Sequence, residues 1–142
     1  MTKEEKRKQK YPDTETFHYY NANPKNRLGC DCAIRAICTA MEQSWQETVR
    51  EMTEVGISIG YVVNDPKTIE KYLQLKGWGK HKQPKKPDGT KYTGKEFCER
   101  ARSYENYIAN IGGHHMVAIV GARVQDIWDS TNKCIGNYWT KG

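Results

Sequence analysis

The chain has 142 residues and a formal net charge of +6, a length that predicts one domain with a real core and leaves no room for two. Only 37% of it is hydrophobic and 28% is charged, yet nine tyrosines and four tryptophans argue against disorder and for a folded domain with a heavily solvated surface. No apolar run is long enough to span a bilayer, and no apolar segment follows the charged N-terminus, so neither a membrane span nor a signal peptide is expected. The reading is cytoplasmic and without membrane contact, and the odd number of cysteines fits a reducing compartment.

In chain order, Met1 to Lys10 reads as a basic tail, disordered or loosely helical. Tyr11 to Leu28 reads as irregular, with Pro12, Asn21, Asn23, Pro24 and Asn26 as turn formers. The predicted boundaries are a flexible basic tail over 1–16 and a single domain over 17–142, with Phe17, Tyr19 and Tyr20 as anchors onto the body. A first helix is expected from about Asp31 to Glu42, because Ala33, Ile34, Ala36, Ile37 and Ala40 share an apolar side at helical spacing. Ser44 with Glu47 forms a capping box for a second helix, carried by Trp45, Val49 and Met52 and ending near Glu54 or Gly56. A third helix follows Asp65-Pro66, with Ile69, Tyr72 and Leu73 inward and Gly77 as its stop. Lys80 to Lys91 is read as a loop, and Thr93 with Glu96 opens a short helix containing Phe97 and Ala101.

The pattern changes near Tyr104. Asn106 to Asn110 is short and mixed, Gly112-Gly113 breaks the chain, and His115 to Val120 reads as a buried strand. Gly121-Ala122 predicts a tight turn, Val124 to Asp129 the returning strand, and Lys133 to Trp139 a third strand closing a small antiparallel sheet. Helices followed by sheet define the α+β class. Positive charge gathers in the tail and in the stretch from Lys76 to Lys95. No nucleic-acid motif accompanies it, so a solvated surface is the expectation rather than nucleic-acid binding, with an acidic substrate or partner as the alternative.

Chemistry concentrates in three places. Cys32 falls at a helix N-terminus, where unpaired N–H groups and the positive dipole end stabilise a thiolate; the plain alternative is an ordinary buried cysteine. His115 opens a strand just past Gly112-Gly113. If Val120 pairs with Arg123 across the turn, Asp126 lies on the same face as His115 and diagonal to it, close enough to orient an imidazole. Asp129 is the competing acid. The alternative for these pairs is polar residues at a sheet edge, and a further one is a zinc site from Cys30, Cys32, His114 and His115, disfavoured because adjacent strand residues face opposite ways.

Asp31-Cys32-Ala33-Ile34-Arg35-Ala36 after Asn21-Ala22-Asn23-Pro24-Lys25, then Gly113-His114-His115 and Asp126-Ile127-Trp128-Asp129-Ser130, form a set. In this order the set resembles the papain-like cysteine peptidase superfamily, and most of all its small bacterial and phage members, over roughly Tyr19 to Trp139. The resemblance implies a papain-like α+β fold and a thiol-dependent hydrolase acting on a peptide, isopeptide or related amide bond through an acyl-enzyme on Cys32, with a peptide or protein substrate and no cofactor or metal. It implies Cys32 as nucleophile, His115 as general base and then acid, and Asp126 (or Asp129) as the group that fixes the imidazole tautomer. The oxyanion would be held by the Cys32 N–H and an upstream amide; the usual glutamine is missing, leaving Asn23 and Asn26 as candidates. Cys30 stands where such relatives carry a glycine, and pairing with Cys32 for regulation is one use for it. Arg35 is expected in a structural salt bridge with Asp31 or an acid of the sheet, and Trp128 over the His–Asp contact or in the core. An acyl transferase or deamidase on the same fold, and a non-catalytic phage or bacterial binding or inhibitor protein, remain the other two readings.

Overall fold

The computed structural model describes residues 1–142. It begins with helix α1 (Lys3–Lys10), closed by a reciprocal capping box between Thr2 and Glu5 and tied to the body where Asn21 Nδ2 donates to Glu4. Strand β1 (Phe17–Tyr19) follows, inside the stretch read as irregular. Phe17 and Tyr19 are buried, whereas Tyr20, expected as a third anchor, is exposed.

Helix α2 (Cys32–Met41) takes Asp31 and Glu42 as its two caps, matching the expected span. Helix α3 (Trp45–Ile59) starts at Ser44, whose hydroxyl accepts from the Glu47 N–H. It runs past the expected stop because Gly56 is a packing residue: a Cβ there would meet the Tyr61 carbonyl oxygen at 2.3 Å. Helix α4 (Pro66–Leu75) starts at Asp65 with proline in its first turn, as the sequence predicts. Strand β2 (Trp78–His81) occupies part of the expected loop, and α5 (Gly94–Arg100) has the Thr93–Glu96 capping box.

The remaining strands are β3 (Tyr107–Ile111), β4 (His115–Val120), β5 (Arg123–Asp126) and β6 (Ile135–Lys141). They form one six-stranded sheet in the order β1-β5-β4-β3-β6-β2, mostly antiparallel with β1 parallel to β5. Two expectations need correction. The stretch Asn106 to Asn110, read as short and mixed, lies mostly within the central strand β3, and the sheet that β6 was expected to close as its third strand has six strands, with β6 between β3 and β2. The reason is geometric: the chain after Asp126 leaves the sheet, passes β4 and returns along the far side of β3.

The sheet has a core on each face. Ile34, Ile37, Met52 and Leu73 from α2, α3 and α4 pack with Ile108, Met116, Ala118 and Trp139. On the other face Phe17, Val117, Ile119, Val124, Ile127 and Ile135 pack with Cys98 of α5. The class is α+β, and no helix is long and apolar enough to cross a membrane.

Candidate functional site

The site lies where α2 begins, β4 begins and β5 ends. Gly112 and Gly113, both at positive φ (63° and 94°), turn the chain tightly enough to pair Ile111 with His115, a conformation that side-chain-bearing residues resist. Across the next turn Val120 pairs with Arg123, with Gly121 and Ala122 both at positive φ. The ladder stops at Ala118 opposite Gln125, and Asp126 then pairs with Tyr19 of β1 instead.

Cys32 is the first residue of α2, and its N-cap, Asp31, makes no capping hydrogen bond. The Asp31 carboxylate is used sideways. Its Oδ1 accepts from Arg35 Nε at 2.9 Å, and its Oδ2 accepts from Asn23 Nδ2 and Trp45 Nε1 at 3.0 Å each. The first-turn N–H groups of α2 therefore lack a side-chain cap at the positive end of the helix, where Cys32 sits.

Arg35 also reaches the sheet. Its Nη1 donates to Asp126 Oδ1 at 2.6 Å, and the Ile127 N–H donates to the same oxygen at 2.7 Å. Asp126 Oδ2 accepts from His115 Nε2 at 2.5 Å. Both carboxylates and the guanidinium are buried, so two acids share one fixed cation and every carboxylate oxygen is bonded, the condition under which buried charge is tolerated. The Trp128 ring lies 4.9 Å from the His115 ring, tilted by 41°.

With Nε2 bonded to Asp126, Nδ1 is the ring nitrogen left for Cys32. The imidazole's hydrogen bond to sulfur is the largest influence on the thiol and lowers its pKa; burial opposes it, while the Met116 N–H and the charges of His115 and Arg35 add to it. For His115 burial disfavours the cation, but the bonds and charges of Asp126 and Cys32 outweigh it and raise the group to about 9. The two shifts run in the directions that favour a thiolate–imidazolium pair at neutral pH. The other thiols differ: burial pushes Cys38 up to about 11 and Cys98 up to about 12, and Cys30 and Cys134 are exposed.

The structure thus brings Cys32, His115 and Asp126 together. Asp129 stands apart, its Oδ1 accepting from the N–H and hydroxyl of Thr131 in a turn. Asn23 is buried with its amide committed to Asp31 and its Oδ1 to the Lys25 N–H. Asn26 is exposed in a left-handed turn beside Thr2 and Leu28. Neither amide faces the thiol. His114 and Cys30 are exposed, and the four residues of the zinc alternative form no ligand cluster. His18 and His81 lie outside this group and bond to Asp13 and Thr140 respectively, each at 2.7 Å.

Arg35 bridges both acids that the sequence offered as alternatives. Trp45 as a donor to Asp31 was not legible, since its position fits the apolar stripe of α3. A cleft of about 420 Å3 runs from the thiol between α2, α4 and the sheet, lined by Cys32, Asn64, Ile69, Asn110, Met116 and Trp139 among others. No family model matches the sequence, and neither characterised proteins nor solved structures match it.

Proposed function

We propose that this protein is a papain-like thiol hydrolase of bacterial or phage type, working in the cytoplasm on a peptide, isopeptide or related amide bond. The observation that carries the reading is Cys32 at the open end of α2 beside a His115 whose Nε2 is bonded to Asp126, with the thiol lowered and the imidazole raised. In this chemistry the Cys32 thiolate attacks the carbonyl carbon, and the C=O π electrons move onto oxygen. As the C–N bond breaks, imidazolium gives its proton to the departing amine, leaving a thioester on Cys32. Neutral His115 then takes a proton from water as the hydroxide adds. The acid is released and the ion pair restored. Asp126 holds Nε2–H throughout, which keeps Nδ1 directed at the reaction.

The test is iodoacetamide alkylation across a pH series, with each cysteine quantified by mass spectrometry. Cys32 is expected to react selectively at pH 6–7, where exposed Cys30 and Cys134 serve as internal references, and His115→Ala is expected to abolish that selectivity. Equal reactivity of Cys32 and the two exposed thiols in the wild type sinks the proposal.

A further inference from the structure

Acyl transfer from a thiolate places negative charge on the carbonyl oxygen, and fixed donors for that oxygen are worth more than most other contributions to rate. The uncapped N–H of Cys32 is one such donor. The amides that the sequence offered for the second, Asn23 and Asn26, point elsewhere. We propose that Asn110 supplies the second donor, so that the oxyanion is held between the Cys32 N–H and the Asn110 Nδ2 group; this rests on Cys32 being the nucleophile.

Three observations converge on Asn110. It lines the cleft that contains Cys32. Its direct cross-strand partner is Met116, whose N–H is among the groups that lower the Cys32 thiol, and side chains directly opposite on neighbouring antiparallel strands share a face with Cβ atoms about 5 Å apart. It also sits where the β3–β6 register shifts, between Ala109 and Ile111, an irregularity of the kind that re-aims a side chain beside a reacting centre. Gly136 lies across from it with no side chain to fill the space; even a Cβ there would be 3.5 Å from Asn110 Cβ.

The chemistry of the group fits as well. The amides of Asn21, Asn23 and Asn106 are all spent on partners in the fold, whereas the Asn110 amide makes no hydrogen bond within the protein. It is a preformed donor that the fold itself does not use. Asn64 is the other amide of the cleft, but it is exposed and belongs to the loop before α4, on the opposite wall from Met116.

The experiment separates the donor from the nucleophile. The probe is acetyl-alanyl-glycinal labelled with 13C at the aldehyde carbon. When the Cys32 sulfur bonds that carbon, the aldehyde oxygen becomes the oxygen of a hemithioacetal and takes up the proton, so adduct affinity reads the oxyanion site. Iodoacetamide alkylation of Cys32 involves no such oxygen. Asn110→Ala and the isosteric Asn110→Asp are expected to weaken the aldehyde adduct about tenfold or more while changing the alkylation rate of Cys32 less than twofold for Asn110→Ala. Asn64→Ala is expected to leave both unchanged. Wild-type aldehyde affinity in both Asn110 variants, loss in Asn64→Ala instead, or no adduct on a wild-type Cys32 that alkylates selectively overturns the assignment. A wild-type Cys32 that alkylates no faster than Cys30 or Cys134 overturns the hydrolase reading itself and the Asn110 role with it.

Discussion

The two ends of α2 are built in opposite ways. At the N-terminal end the cap residue gives its carboxylate to Arg35, Asn23 and Trp45, and the helix N–H groups are left open beside a lowered thiol. At the C-terminal end Glu42 turns left-handed (φ 57°) and its N–H returns to the Cys38 and Thr39 carbonyls, so the helix closes on itself. The larger of the two adjoining clefts, about 530 Å3, is at this closed end, and its walls carry Glu42, Lys76, Glu105 and Lys141 but neither thiol nor imidazole. Cys38, on the same helix, is buried with its S–H directed at the Arg35 carbonyl, 3.4 Å away, and its pKa is raised. The lowered thiol goes with an open helix end and a fixed imidazole, not with the size of the nearest cavity.

The largest effect should come from removing the cation that the open end is built around. Arg35→Met leaves two buried carboxylates without their shared guanidinium, and a loss of about 3–5 kcal/mol is expected, read as a shift in the urea unfolding midpoint. A loss below about 1 kcal/mol would mean that the two acids are not coupled through Arg35.

Next in size is Asp126→Asn, which keeps the shape but removes the charge facing His115. The His115 pKa should fall from about 9 toward its ordinary range and the rate of Cys32 alkylation at pH 6 should drop about tenfold, measured by NMR titration of the imidazole and by mass spectrometry. An unchanged His115 titration would contradict the role given to Asp126.

A smaller effect separates the two halves of the ion pair. His115, raised in the fold, adds stability that is complete below its ordinary 6.5 and is lost as pH rises through about 9. Cys32, lowered in the fold, adds stability that is complete above its ordinary 9.0 and is lost as pH falls through its folded value. The slopes oppose each other between pH 6.5 and 9. Wild-type stability should therefore decline less with rising pH than that of Cys32→Ser, which should lose on the order of 1 kcal/mol, seen in unfolding midpoints at the two limits. A level profile in the variant counts against a raised His115. The smallest effect is expected at the closed end, where Cys38→Ala should cost about 1 kcal/mol and leave the pH profile of Cys32 alkylation untouched.

The contrast also explains what could be read without coordinates. Spans of α2 and β4 were legible because each carries its own pattern: five apolar residues at helical spacing after Gly29, and an apolar run after Gly112-Gly113. Cys32 was legible from the start of that helix, and His115 and Asp126 because two tight turns fix their registers locally. Strands β1 and β2 were not, since three and four residues among turn formers and lysines hold strand geometry only through partners distant in sequence. The placement of β6 beside β3 was hidden for the same reason, because an adjacent hairpin and a longer crossover have the same local pattern. Asn110 was hidden inside a segment that looked mixed, where its polarity masked the strand that aims it.

One pairing sets the order in which the site is assembled. β1 runs parallel to β5, with Tyr19 opposite Asp126 and the Tyr20 N–H donating to the Asp126 carbonyl at 2.9 Å, so an early strand is completed only by one of the last. During synthesis Cys32 leaves the ribosome well before His115 and Asp126 exist as chain. Until they emerge its thiol has neither imidazole nor acid and behaves as any other cysteine. The surroundings that lower the thiol are thereby assembled only when the topology of the sheet is complete.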